Sequence, residues 1–159
     1  MEHSTYDTAT FGAGCFWGVE AAYRQIQGVK STRVGYAGGA VDDPTYKDVC
    51  TDTTGHAEVV EVTYDPARVS YEELLEVFWA NHDPTQVNRQ GPDVGTQYRT
   101  VVFFHSPEQE KSAIASRDAV QERIDRPIAT EIVPAQRFWE AEDYHQQYLE
   151  KRGLSTCRI

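Results

Sequence analysis

The spacing of apolar residues along the chain predicts alternating strands and helices. Residues 57–64 alternate in polarity, which places Val60, Val62 and Tyr64 on one face of a strand. Between residues 16 and 26 the apolar positions recur every three to four residues, as they do in a helix. Ser70 and Glu73 form a capping box at the start of another helix. The same kinds of signal predict strands at 9–13, 29–36, 99–105 and 128–133, and helices beginning at 106 and covering 139–152.

The order of these elements predicts an α+β fold. Strand, helix, strand, strand, helix and strand follow one another, which is the ferredoxin-like split βαβ arrangement, a two-layer sandwich, here with an added helix, strand and C-terminal helix. Residues 40–55 and 83–97 are polar connections, and a loop as long as the second tends to be functional. No repeat or linker divides the chain, so we predict one domain over residues 1–159, with 154–159 as a mobile tail.

The composition argues against several classes of function. A net charge of -10 disfavours binding to nucleic acid or to an anionic membrane, since both require a basic surface. The polar N-terminus and the absence of an apolar run of ~18 residues predict a cytoplasmic protein without a signal peptide or a membrane span. The five histidines have no spacing that is typical of a metal site, so no metal is expected.

Three widely spaced cysteines, Cys15, Cys50 and Cys157, fit neither a zinc knuckle nor a disulfide-stapled secreted domain. Reduced thiols with a chemical role are the better interpretation. In Gly14-Cys15-Phe16-Trp17-Gly18 the thiol lies where a predicted strand passes into a predicted helix. A thiol with an ordinary pKa is only ~3% ionised at pH 7, and the amides of a helix N-terminus raise that fraction. The two aromatic residues predict an apolar wall beside the thiol.

The residues around Cys15 leave several interpretations open. Cys15 is either a catalytic thiol or a structural cysteine buried beside two core aromatics. A catalytic thiol also suits a cysteine hydrolase that uses His56, His82 or His145 as its base, although no spacing rule selects one of them. A third class is a non-enzymatic protein that binds methionine-containing peptides.

The GCFWG run at 14–18 resembles the active-site motif of the peptide methionine sulfoxide reductase A family. The resemblance extends through nearly the whole chain, in the family's order. It covers GYAGG (35–39), PTY (44–46), TGHAEVV (54–60), NHDPTQ (81–86), NRQGPDVGTQYR (88–99) and AEDYHQQYL (141–149).

The resemblance implies reduction of the S-epimer of methionine sulfoxide, free or within oxidised proteins, to methionine. By motif, Cys15 is the nucleophile and Glu58 is the acid that protonates the oxygen. Glu58 falls within an alternating apolar strand, where partial burial would raise its pKa. Phe16 and Trp17 match the pocket for the S-methyl group. The remaining site residues match groups that hold the sulfoxide oxygen or lie near the site, namely Tyr46, Tyr98, Asp93, His145 and Tyr148.

The resemblance also implies how the thiol is restored. Cys15 becomes a sulfenic acid, Cys157 condenses with it to a disulfide, and thioredoxin, or dithiothreitol in vitro, reduces that disulfide. No bound cofactor is implied, and a monomer is expected. The tail is less glycine-rich than is usual in the family and contains no second cysteine, which favours a single recycling disulfide. We expect Cys50 to be a small buried residue without a catalytic role.

Overall fold

The computed structural model describes residues 6–151 of the chain. Its strands are β1 (Asp7–Ala13), β2 (Val29–Ala37), β3 (Ala57–Tyr64), β4 (Arg89–Gln90), β5 (Asp93–Val94), β6 (Thr100–Phe104), β7 (Glu131–Pro134) and β8 (Trp139–Glu140). Its α-helices are α1 (Phe16–Arg24), α2 (Tyr46–Cys50), α3 (Tyr71–Ala80), α4 (Pro107–Gln121) and α5 (Tyr148–Lys151). Two short 3-10 helices cover Thr96–Tyr98 and Asp143–His145.

Six strands form one mixed sheet in the order β7-β6-β1-β3-β2-β8, and β4 and β5 pair separately. All neighbours in the large sheet are antiparallel except β6 and β7, which are parallel. Helix α1 packs on β1, β2 and β3, α3 packs on β1, and α4 packs on β6 and β7. Since α1 contacts α3 and α3 contacts α4, the three helices lie side by side over the sheet. The fold is therefore α+β, as predicted.

The core lies between this helix layer and the central strand β1. Phe11 of β1 is fully buried, and its ring packs against Tyr23 of α1 at 5.2 Å and Phe78 of α3 at 5.3 Å between ring centroids. The three residues that alternation places on one face of β3 are all buried, with Val60 and Val62 inaccessible to solvent. The opposite phase is buried as well over the first half of β3, where Ala57 and Val59 belong to a second apolar cluster.

Two helix starts confirm the predicted capping. Ser70 accepts the backbone N–H of Glu73 at 3.0 Å, and the Glu73 carboxylate accepts the N–H of Ser70 at 2.8 Å. Ser106 caps α4 by accepting the N–H of Gln109 at 3.2 Å, with Pro107 at the first helical position. Each cap satisfies amides that lack a partner within the helix.

The helix predicted over 139–152 is wrong for most of its length. Trp139 pairs with Tyr36 as part of strand β8, a 3-10 turn follows, and regular helix begins only at Tyr148. The side chain of Gln146 binds the main-chain N–H and C=O of Val34 on β2, which fixes this segment to the sheet. Gln147 then adopts a left-handed backbone conformation with φ 51°, which a continuous helix cannot contain.

Other boundaries also differ from the sequence prediction. The polar segment 40–55 contains α2, which begins with a capping box formed by Thr45 and Asp48. The segment 83–97 contains the β4–β5 hairpin and most of a 3-10 turn, and the last long strand begins at residue 131 instead of 128. No helix within residues 6–151 is long and apolar enough to cross a membrane.

Candidate active site

Cys15 lies at the N-terminal end of α1 and is half-buried. The chain turns into the helix at Gly14, whose φ of 98° is a conformation that glycine adopts without strain. A Cβ atom on Gly14 would also approach the Gln90 side chain to 2.9 Å. The cysteine carbonyl accepts the N–H of Val19 at 3.5 Å, so the thiol stands beside the first turn of the helix. The partial positive charge of a helix N-terminus favours the thiolate form.

Glu58 of β3 is held against the same helix end. Its side chain is 1% exposed, and its Oε1 accepts the N–H of Phe16, the residue after Cys15, at 3.2 Å. Its other oxygen, Oε2, is buried and accepts no hydrogen bond within the described part of the chain. The pKa of Glu58 is raised to about 8, mainly by burial and in smaller part by the nearby Asp93, while the Phe16 N–H and the Gln97 side chain act in the opposite direction. Glu58 therefore keeps its proton at neutral pH.

An aromatic wall adjoins the thiol on α1. Phe16 is buried, and Trp17 is half-buried and stacks on Tyr148 with 3.7 Å between ring centroids and 8° between ring planes. The indole Nε1 of Trp17 donates to Nδ1 of His145 at 2.9 Å. Burial lowers the pKa of His145, with Glu142 opposing the effect, so the ring is neutral at pH 7. Since Nδ1 accepts a hydrogen bond, the proton of this neutral ring is assigned to Nε2.

Tyr46 and Tyr98 complete the polar side of the site. Burial is the main cause that raises the pKa of each phenol far above its ordinary value, and the nearby Glu58 adds to both. Both hydroxyls therefore stay protonated at neutral pH and serve as hydrogen-bond donors. Cys15 and Asp93 are among the groups that raise the pKa of Tyr98, which places that phenol within electrostatic range of the thiol.

The nine predicted site residues within the described part of the chain fall into three connected groups. Cys15 and Glu58, the predicted nucleophile and acid, meet at the start of α1. Around them are the aromatic wall of Phe16, Trp17, His145 and Tyr148 and the polar side formed by Tyr46, Tyr98 and Asp93. Cys157 lies outside the described residues, as does the predicted tail 154–159.

The prediction that Cys50 is buried is wrong, because this thiol is exposed at the end of α2. Only Val49 in this short surface helix is buried, so the helix presents the neighbouring cysteine to solvent. The amide of Gln97 donates to Cys50 Sγ at 3.4 Å, and Cys50 contributes to the raised pKa of Tyr46. Cys50 therefore lies at the edge of the polar side of the site.

Glu142 was missed as a site residue, although it falls within the motif at 141–149. Its carboxylate accepts the Tyr36 hydroxyl at 2.9 Å and the backbone N–H of Tyr46 at 2.9 Å. These bonds hold the first turn of α2, and with it Tyr46, against β2. They also lower the pKa of Glu142, although burial acts in the opposite direction. Nothing in the local sequence separates this glutamate from a solvated one.

Of the three histidines considered as hydrolase bases, two have both ring nitrogens bonded elsewhere and the third has one. Both ring nitrogens of His56 bond to main-chain atoms, of Gly39 at 3.0 Å and of Val41 at 2.6 Å. Both nitrogens of His82 are also bonded, and burial lowers its pKa to about 4. His145 uses Nδ1 to hold Trp17. None of these contacts orients a histidine toward the thiol as a base, so the geometry does not favour the hydrolase interpretation.

A cavity of about 330 Å³ opens beside the thiol, on the side of α1 away from Trp17. One wall is α1 and the other is the loop that carries Gln90. The lining residues are Ala13, Cys15, Gly18, Val19, Ala22, Asn81, Asp83, Gln86, Gln90 and Gly91. Solvent and small molecules therefore have access to the sulfur atom.

These features define a class of protein: a thiol-dependent enzyme with a protonated carboxyl, two phenol donors and an aromatic pocket at one helix end. Comparison with known proteins specifies the family. Residues 7–159 match the family described as peptide methionine sulfoxide reductase. A peptide methionine sulfoxide reductase MsrA from Acidobacterium capsulatum is 62% identical over 153 residues, which cover 95% of this chain and 98% of the relative.

Solved structures agree with the sequence match. The reduced form of Mxr1 from Saccharomyces cerevisiae superposes with a TM-score of 0.90 at 38% identity, covering 96% of this chain and 88% of the yeast chain. Mxr1 in complex with Trx2 is also similar, with a TM-score of 0.65 at 28% identity, covering 92% of this chain and 87% of that one. The chain belongs to the peptide methionine sulfoxide reductase A family.

Proposed function

We propose that this chain reduces the S-epimer of methionine sulfoxide, free or in oxidised proteins, to methionine, with thioredoxin as its reductant. Membership of the family supports the reaction, and the similar yeast protein in complex with Trx2 supports the reductant. One observation carries the proposal most directly. Glu58, a carboxyl that keeps its proton at neutral pH, is hydrogen-bonded at 3.2 Å to the amide that follows Cys15.

The proposed reaction joins the thiolate to the sulfoxide. Cys15 attacks the sulfoxide sulfur while Glu58 donates its proton to the oxygen, with Tyr46 and Tyr98 as hydrogen-bond donors to that oxygen. The attack forms a bond between the two sulfur atoms. As the protonated oxygen passes to Cys15, its bond to the methionine sulfur and the new sulfur–sulfur bond both break, so Cys15 becomes a sulfenic acid and methionine leaves. Cys15 is thereby oxidised by two electrons and the sulfoxide is reduced by two. Glu58 ends the step as a carboxylate.

The proposed pocket holds the S-methyl group against Phe16 and Trp17, because an apolar methyl group is favoured at an aromatic wall. His145 fixes the indole through its hydrogen bond, and Tyr148 covers the other ring face. Asp93 lies within electrostatic range of Tyr98 and Glu58, and we propose that the more polar part of the substrate binds beside it.

The proposed recycling uses the second thiol. Cys157 attacks the sulfenic sulfur of Cys15, a disulfide forms and water leaves. Thioredoxin, or dithiothreitol in vitro, then reduces this disulfide by thiol–disulfide exchange and restores both thiols. The absence of a second tail cysteine supports a single disulfide in this cycle.

The test uses the two epimers of methionine sulfoxide with dithiothreitol as reductant. We expect methionine from the S-epimer, none from the R-epimer, and none from either epimer in a Cys15→Ser variant that keeps its circular dichroism spectrum. Mass spectrometry after one equivalent of S-epimer without reductant should find Cys15 joined to Cys157. Failure of the wild-type protein to form methionine from the S-epimer would overturn the proposed function.

We also propose that residues 1–159 form one domain with a ferredoxin-like core and act as a monomer in the cytoplasm. The order β6-β1-β3-β2, with α1 and α3 on one face, supports the ferredoxin-like core. The odd number of widely spaced cysteines supports a reducing compartment. Size-exclusion chromatography with light scattering tests the monomer, and a mass of about 36 kDa, twice the chain mass of 18.0 kDa, would refute it.

A further inference from the structure

Glu20 is a buried carboxylate on α1 that the proposed chemistry does not use. Its side chain is 1% exposed and lies one helical turn after Trp17. It accepts three hydrogen bonds, from Thr32 Oγ1 at 2.7 Å, from Gln147 N–H at 2.8 Å and from Gln147 Nε2 at 2.8 Å. Both oxygens of Glu20 therefore act as hydrogen-bond acceptors, Oε1 from one donor and Oε2 from two. Two of the three bonds come from a single residue of the C-terminal segment.

Gln147 is held in a conformation that glutamine seldom adopts. Its φ of 51° lies in the left-handed region, which costs free energy for a residue with a Cβ atom. Such a conformation persists where surrounding contacts fix it. Here Gln146 is bound to the main chain of Val34 and Ala141, and Gln147 is bound to Glu20 and to Thr32 O. The turn at Gln147 is therefore fixed from both sides.

This turn sets the direction in which Tyr148 leaves the sheet. Tyr148 stacks on Trp17 with 3.7 Å between ring centroids. Trp17 and Glu20 are three residues apart on α1, so they lie on the same side of the helix. Gln147 and Tyr148 are consecutive on the facing segment. Two adjacent contacts, one hydrogen-bonded and one aromatic, therefore join the same helix turn to the same two residues.

We infer that Glu20 and Gln147 are positioning residues that hold Tyr148 over Trp17 and so give the methyl pocket its shape. The inference rests on the proposed role of Trp17 in that pocket. The Glu20–Gln147 contact orients the covering ring and does not touch Cys15. Its loss should loosen the pocket and leave the reactivity of the thiol unchanged.

The kinetic test compares Gln147→Ala and Glu20→Gln with the wild-type protein, using the S-epimer and dithiothreitol. Each variant should raise KM about fivefold and change kcat by less than about twofold, because the methyl group is bound in both ground and transition states. The double variant should be no worse than the worse single variant, since the two residues act through one contact. The alkylation rate of Cys15 by iodoacetamide should stay within about twofold of wild type.

Thr32→Val is the matched control. It removes the third donor to the same carboxylate but leaves both bonds from Gln147 in place. It should lower the denaturation midpoint and leave KM within about twofold of wild type. A KM increase in Thr32→Val equal to that in Gln147→Ala would show that KM follows general stability, and would overturn the positioning role.

Tryptophan fluorescence gives a local measurement of the pocket. The chain has three tryptophans, so a Trp79→Phe/Trp139→Phe background reports on Trp17 alone. In that background Gln147→Ala should increase quenching by acrylamide, because the cover on the indole is loosened. Unchanged quenching and KM in folded Gln147→Ala would overturn the inference. If Trp17→Ala raises KM and Gln147→Ala does not, the proposed role of Trp17 in the methyl pocket is supported and the positioning role of Gln147 is refuted. If Trp17→Ala leaves KM unchanged, both the pocket role of Trp17 and the positioning role of Gln147 are refuted.

Discussion

The raised pKa of Glu58 predicts how the rate of the reduction step depends on pH. In the proposed reaction the protonated carboxyl is the active form, and its pKa is about 8. The single-turnover rate should rise with ionisation of Cys15, then fall about tenfold per pH unit above 8 as Glu58 loses its proton. Glu58→Gln retains the side-chain shape but has no acidic proton. Its single-turnover rate at pH 7 should be lower by about 100-fold or more, and the fall in rate above pH 8, the descending limb of the pH–rate profile, should disappear.

The same pKa has a consequence for stability. Because the folded pKa of Glu58 is raised above the ordinary value of 4.5, the folded protein binds more protons between pH 4.5 and 8 than the unfolded chain does. The stability contribution of this group is complete below about pH 4.5 and is lost as the pH rises through 8. At about 1.36 kcal/mol per pH unit, the loss is at most about 5 kcal/mol. Above pH 8, Glu58 therefore destabilises the wild-type protein relative to its stability in acid.

Two measurements check these statements. Stopped-flow single turnovers with the S-epimer from pH 5 to 10 give the rising and descending limbs of the pH–rate profile. Urea denaturation at pH 5 and pH 8 gives the difference in the free energy of unfolding. Glu61→Gln is the matched control, because Glu61 is on the same strand but its carboxylate pairs with exposed Arg33 at 2.6 Å. That variant should retain the descending limb. A descending limb that persists in Glu58→Gln would assign it to another group and refute the acid role.

Three further predictions concern the thiols and the turn before them. Cys15→Ser should abolish methionine formation while leaving the thermal midpoint within a few degrees of wild type, measured by circular dichroism. Cys157→Ser should retain one rapid turnover and lose steady turnover with thioredoxin; an unchanged steady rate would remove Cys157 from the cycle. Gly14→Ala should destabilise the fold by about 1–2 kcal/mol in urea denaturation, because φ of 98° strains alanine and its Cβ would crowd Gln90.

The sequence was most informative where one physical effect dominated. Val60 and Val62 lie on a buried face of β3, and Glu58 lies on the same face two residues earlier, as the alternation predicts. Ala57 and Val59 on the other face are equally buried, so parity does not single out Glu58, and its prediction as a site residue depended on the motif at 54–60. The exposed thiol of Cys50 could not be foreseen, since a five-residue helix has no periodicity from which to identify its buried side.

The helix predicted for the C-terminal segment was wrong for a different reason. Its residues have good helix propensity, but the Gln146 amide bonds to β2, more than 100 residues away in the chain, and replaces the local helical pattern. The Glu20–Gln147 contact is equally non-local, because its partners are 127 positions apart in the chain. Contacts of this kind depend on the completed sheet and leave no signal in a window of neighbouring residues.

The start of α1 has to favour an anion at Cys15 and a neutral acid at Glu58 in the same place. The helix end favours negative charge on both groups, so a difference in burial must separate them. Cys15 is half-buried, whereas Glu58 is 1% exposed, and burial outweighs the Phe16 hydrogen bond that favours its anion. In the proposed reaction the negative charge moves from sulfur to Glu58 as the proton leaves. The site then carries one negative charge before and after the step, and the Phe16 N–H is already directed at the oxygen that gains it. The same hydrogen bond that is weak in the resting enzyme therefore strengthens in the transition state, where it lowers the barrier.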